Sequence, residues 1–157
     1  MSHEGIRFVD KEHSAREAEG NRPLARIAVT PEKVRVLLSE GKGLEIDWQD
    51  GHKSAWTFAW LRDACPCATC NDERGKEGRK PGQPKRKPAA VLPMYTPPPK
   101  PASAHAVGRY ALQFNWQDGH TAGIYSWEYL RRVCQCRECT FAAEETRGAA
   151  NQQRRGD

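Results

Sequence analysis

A chain of 157 residues, 38% hydrophobic and 29% charged, has the length of a single domain but less apolar content than an ordinary globular core. Its 25 Lys and Arg exceed 20 Asp and Glu to leave a formal charge of +5, and no stretch approaches the roughly 18 consecutive apolar residues of a membrane-spanning helix. A helical membrane protein is excluded, and so small a core points to a covalent or metal staple.

Residues 1–30 are charged, balanced in sign and without periodicity, so a disordered lead-in is expected there. The first residues carry no apolar signal segment, which points to a soluble cytoplasmic protein. Pattern begins at Pro31. Val34, Val36 and Leu38 alternate with polar residues except at Leu37, Gly41-Lys42-Gly43 turns, and Leu44, Ile46 and Trp48 alternate again. Asp50-Gly51 then reads as a two-residue turn with both residues at positive φ. His52 to Trp56 should return as a third strand. Thr57 is placed to cap a short helix carrying Phe58, Trp60 and Leu61, which runs out at Cys65-Pro66.

Residues 71–101 hold eight of the eleven prolines and eight Lys or Arg against three acids. The whole charge surplus thus lies in one segment, read as a solvated loop without regular structure. Nucleic acid is not an expected partner, because this loop lacks aromatics interleaved for base stacking. After it the first pattern recurs. Tyr110, Leu112, Phe114 and Trp116 alternate, Asp118-Gly119 turns, His120 opens a return strand, and Ser126 stands where Thr57 stood, before Trp127, Tyr129 and Leu130. One extra residue separates His120 from its cap, and Gly123 marks a β-bulge as its place. The expected class is α+β: one small, mostly antiparallel sheet built from two strand–turn–strand–helix repeats and stapled by Cys₃His metal sites. Repeat one covers 31–70 and repeat two 102–141, with a frayed tail over 142–157. The tryptophans, at strand and helix positions, are read as core rather than a ligand cage.

All six cysteines fall into two copies of Cys-x-Cys-x-x-Cys: Cys65, Cys67, Cys70 and Cys134, Cys136, Cys139. Each follows a Leu-Arg pair, and each repeat carries Trp-Gln-Asp-Gly-His upstream. In a cytoplasmic chain such clusters bind metal or do redox work more often than they form disulfides. Three nearby thiolates form a chelate at small loop-closure cost, and three sulfurs with one imidazole make a closed zinc set. Of five histidines only His52 and His120 occupy equivalent, patterned positions, and they supply the fourth ligands. A return strand of about five residues spans roughly 16 Å and the following helix comes back roughly 12 Å. Both a local and a crossed pairing of histidine with triad are therefore within reach. The crossed one would tie the two repeats together.

Trp-x-Asp-Gly-His, then Trp60-Leu61-Arg62-Asp63-Ala64-Cys65-Pro66-Cys67-Ala68-Thr69-Cys70 and Gly123-Ile124-Tyr125-Ser126-Trp127-Glu128-Tyr129-Leu130-Arg131, resemble the gamma-butyrobetaine hydroxylase-like N-terminal domain over roughly Pro31–Cys139. That family includes small stand-alone bacterial proteins of unknown function, N-terminal modules of 2-oxoglutarate dioxygenases, and fusions to P-loop iron–sulfur carriers of the Mrp type. The resemblance implies a structural zinc on Cys65, Cys67, Cys70 and His120. The dioxygenase module lacks the second triad, so Cys134, Cys136, Cys139 and His52 form a second site by internal symmetry alone. One or two Zn²⁺ ions are expected, with an iron–sulfur cluster as the alternative cofactor.

No histidine is followed two residues later by Asp or Glu, so the facial-triad motif of a non-haem iron oxygenase is missing. The expected function is a non-catalytic zinc-binding module serving as an adaptor for another protein, with no membrane role. The alternative is an iron–sulfur or metal-handling accessory to Mrp-type carriers.

Overall fold

The computed structural model describes residues 23–89, 92 and 94–140. Most of the expected lead-in and the expected tail lie outside them. Strands β1 (Pro31–Val36), β2 (Gly43–Trp48) and β3 (Lys53–Thr57) precede helices α1 (Phe58–Asp63) and α2 (Ala68–Glu77). Then come β4 (Pro101–Val107), β5 (Ala111–Trp116), β6 (Ile124–Ser126) and α3 (Trp127–Arg132). The class is α+β and wholly antiparallel, but the strands do not share one sheet. They make two three-stranded sheets, β1-β2-β3 and β4-β5-β6.

Period-two alternation decides which faces meet. Leu44, Ile46 and Trp48 on β2, with Leu112, Phe114 and Trp116 on β5, are all at most 6% exposed. Both stripes join a single core. Phe58 of α1 packs edge-on against Phe114 and Trp116 at centroid distances of 6.4 and 6.5 Å, and Tyr125 meets Phe114 at 5.2 Å. Edge-to-face aromatic contacts add to area burial, so one shared aromatic core holds both sheets. Trp48, Trp56 and Trp116 are buried in it, while Trp60 and Trp127 pack at its margin. Thr57 and Ser126 cap their helices as expected, accepting from the amides of Trp60 and Tyr129.

Other expectations change too. Within the expected lead-in, Arg26–Val29 form a 3-10 turn. Within the expected loop, α2 runs to Glu77 and ends at a left-handed Gly78. The first proline after Cys70 is Pro81, so no proline interrupts 71–77 and only Gly75 weakens the helix there. The helix is held from within by Arg74, 3% exposed, whose guanidinium donates to the carbonyls of Asp63 and Cys65 and to Asn71 Oδ1. Tyr110 lies outside β5, half exposed in the preceding turn, and β4 fills the edge position ahead of it. Finally, Gly123 is no bulge within the ladder: β6 pairs regularly with β5, and the extra residue falls in the irregular approach to it.

The Asp-Gly turns also differ. Trp48 N–H meets the His52 carbonyl at 2.9 Å, enclosing a three-residue loop, and Trp116 and His120 do the same. Only Gly51 and Gly119 are left-handed there, with φ of 85° and 88°. Such a loop leaves each aspartate at ordinary φ with its carboxylate free for use.

Candidate metal centres

Each of those aspartates holds the histidine behind it. Asp50 Oδ1 accepts from the backbone amide of His52 at 3.0 Å, and Asp118 Oδ1 from that of His120 at 3.0 Å. The other carboxylate oxygen faces across the molecule. Arg131 Nη2 donates to Asp50 at 2.8 Å and Arg62 Nε to Asp118 at 2.9 Å. Each turn is thus docked on the Leu-Arg pair ahead of the other triad. These partly exposed ion pairs supply direction more than energy, about 1 kcal/mol or less each. The carbonyls ahead of the first cysteines are also tied across: Trp56 Nε1 donates to Val133 O at 3.1 Å, and Tyr129 Oη to Ala64 O.

The result is two crossed groups. Cys65, Cys67, Cys70 and His120 bring their ligand atoms within 4.8 Å of one another, and so do His52, Cys134, Cys136 and Cys139. His120 Nε2 lies 3.1, 3.5 and 3.7 Å from Cys65, Cys67 and Cys70 Sγ. His52 Nε2 lies 3.2, 3.3 and 3.5 Å from Cys134, Cys136 and Cys139 Sγ. One ring nitrogen makes a single hydrogen bond, so three sulfurs converging on it are not explained as hydrogen bonding. A tetrahedral ion with Zn–S about 2.3 Å and Zn–N about 2.05 Å separates N from S by about 3.6 Å. The nitrogen–sulfur distances fit one ion in each group to within about half an ångström. All six expected cysteines and both expected histidines are in these groups, and no disulfide joins the cysteines.

Local backbone builds each triad. Cys67 caps α2, its sulfur accepting from the Cys70 amide at 3.4 Å, and Cys136 does the same for Cys139 at the start of the helical turn over 137–140. Burial raises the Cys67 and Cys136 thiols, but these amide hydrogen bonds and the neighbouring thiols outweigh it, and both end below the usual range. Burial pushes Cys65 and Cys139 up to about 12. An ion would have to draw those two protons off, as coordinated thiols lose theirs outright. Burial, then Arg131 and Arg62 respectively, hold His52 and His120 below the ordinary imidazole value. That favours the neutral, ligating form.

The sequence reading missed the roles of Asp50, Asp118, Arg62, Arg131 and Arg74. For the first four a signal was present, since the charged residues recur in both motifs. Arg74 has no counterpart pattern. A polar cavity of about 310 Å³ opens beside the first group, lined by residues including Arg62, Asp63, Arg79 and Lys85. Among the described residues, no helix is long and apolar enough to cross a membrane.

A family described as gamma-butyrobetaine hydroxylase-like, N-terminal, matches residues 35–131. The matched stretch contains the first triad and both histidines but stops before Cys134. Among solved structures, a protein of unknown function of the DUF971 family from Acidithiobacillus ferrooxidans is 31% identical, covering 69% of this chain and 96% of its own, at a TM-score of 0.46. Two proteins known from solution NMR structures are 25% and 19% identical, covering 82% and 78% of this chain and 89% and 86% of their own, at TM-scores of 0.42 and 0.44. No functionally curated protein matches.

Proposed function

The chain belongs to the gamma-butyrobetaine hydroxylase-like N-terminal family, and from that premise we propose that it is a non-catalytic module, stapled by two structural zinc ions, that serves as an adaptor for another protein. The observation that carries this reading is the convergence of three sulfurs and one imidazole at each of two points, with all donor atoms within 4.8 Å. Soft thiolates with imidazole select zinc among the abundant divalent metals, and a closed set of four leaves no position for substrate. The same close spacing favours a single ion over a multi-iron cluster at each site.

The two units read as an internal repeat whose halves are held together by their ions. Each ion would link positions 55 or 82 residues apart in sequence, the separations of Cys65 from His120 and of His52 from Cys134. In the chain-entropy estimate, a link over 55 residues restricts the unfolded chain by about 4 kcal/mol, against about 3 kcal/mol for a local link of some 13 residues. Crossed ligation is the stronger staple for a small core. A protein partner is supported by Leu92, Met94 and Tyr95, more than 80% exposed among the prolines of the central loop. A location in the cytoplasm accords with six unpaired thiols.

Elemental analysis of protein purified without added metal tests the reading. Close to two zinc ions per chain, with melting lowered by a strong chelator, is the expected result. Iron with visible absorption would favour the metal-handling alternative, and a metal-free, fully stable chain would refute both.

A further inference from the structure

We propose that Ser54 is a positioning residue for the second metal site, its hydroxyl donating to the Cys134 sulfur so that the two ions are chemically unequal. This rests on the reading that both Cys₃His groups hold metal.

Strand register places Ser54 and Gly123 at corresponding points. Trp56 pairs with Leu44 and Tyr125 with Leu112, on equivalent strands, and each stands two residues after the position in question. Ser54 Oγ lies 3.0 Å from Cys134 Sγ and is 4% exposed. Trp48 Nε1 donates to the same oxygen at 2.9 Å. An indole N–H only donates, so it occupies a lone pair of the hydroxyl and leaves the O–H proton for the sulfur. A metal-bound thiolate has no proton of its own, which fixes the direction. The three groups form a buried relay ending on a ligand.

Among the described residues the first site has no such relay: the buried Tyr125 hydroxyl reaches Cys65, but its proton goes to the Leu61 carbonyl at 2.6 Å. At Gly123 there is no hydroxyl, and a Cβ built there would stand 2.7 Å from Cys65 Sγ. Trp116, the counterpart of Trp48, is 3% exposed and its Nε1 has no partner among the described residues. A buried N–H left unpaired is costly, and this one lacks a partner where the other unit supplies the Ser54 hydroxyl. The outer donor of the first site is a different one: Arg62 Nη1, 3.8 Å from Cys70 Sγ. Arg131, at the matching place in the other unit, leaves its Nη1 without a partner among the described residues. One ion thus has a buried neutral donor on its first cysteine. The other has a distant cationic donor on its last.

A hydrogen bond onto a thiolate withdraws charge from sulfur, resisting protonation and raising the energy of sulfur-to-metal charge transfer. Outer-shell partners of this kind alter metal affinity by about 10–100-fold when removed. Cobalt(II) titration of the full chain reads both properties. The wild-type chain should fill two sites whose charge-transfer bands differ in energy. Ser54→Ala should weaken one site by about 10–100-fold and move its band to lower energy, leaving the other unchanged. Ser54→Thr, which keeps the hydroxyl, should restore both. Identical bands for the two wild-type equivalents would overturn the proposal without any variant. So would Ser54→Ala with both sites unaltered, or Ser54→Thr behaving like Ser54→Ala, and in these cases the metal reading would stand. A wild-type chain that binds no cobalt would overturn the metal reading itself, and the proposal with it.

Discussion

Gly123→Ala should weaken the first metal site strongly while adding a single methyl group. Gly123 is not among the left-handed glycines, so alanine adopts its backbone angles without strain. The new Cβ would stand 2.7 Å from Cys65 Sγ and 3.1 Å from Tyr125 Cε2, where ordinary contact begins at 3.4 Å. The sulfur must therefore retreat by about 0.7 Å, the difference of those distances, against a metal-site tolerance of about 0.2 Å. Cys65 is fully buried beneath the aromatic core, and its carbonyl is fixed by Arg74, so the displacement has little room to relax. Affinity at that site should fall about 100-fold or more, equivalent to about 2.7 kcal/mol. Competition with a colorimetric chelator measures this, with Ile124→Ala, a half-exposed neighbour, as the control that keeps both ions. Two ions bound at wild-type affinity in Gly123→Ala would refute the geometry from which the prediction is drawn.

Arg74→Ala should destabilise the chain by about 2–4 kcal/mol in urea denaturation, because it strands the buried Cys65 carbonyl and the part-buried Asp63 carbonyl and removes charged donors; a change within about 0.5 kcal/mol would contradict that role. Deleting residues 84–96 should leave melting and metal content nearly unchanged, since long surface loops close at small entropic cost. The deletion should not reach Gly82, whose α-carbon packs against the Trp60 ring; loss of soluble protein on removing 84–96 alone would show that the loop is part of the core.

The candidate metal centres were largely legible in the sequence because the residues that could hold an ion are local and repeated. Two Cys-x-Cys-x-x-Cys triads and two equivalent histidines name all eight donors before any geometry is known. What spacing alone left open was the pairing, since His52 reaches either triad by strand and helix lengths. The Asp50–Arg131 and Asp118–Arg62 pairs aim each turn across the molecule. Composition hid α2, because a window averaged over eight prolines masks the proline-free stretch before Pro81. It hid β4 as well: Pro101-Ala102-Ser103-Ala104-His105 has little apolar alternation, yet the edge position tolerates a proline at its first residue. The single expected sheet became two because the apolar stripes of β2 and β5 meet through their side chains in one core, not through a shared backbone ladder.

The central claim is that each ion takes its cysteines from one unit and its histidine from the other. Cysteine alkylation of zinc-loaded protein, read by peptide mass spectrometry, tests it in two single variants. His120→Ala should expose Cys65, Cys67 and Cys70 to the reagent while Cys134, Cys136 and Cys139 stay protected, and His52→Ala should do the reverse. Exposure of Cys134, Cys136 and Cys139 in His120→Ala, with the first triad still protected, would contradict the account.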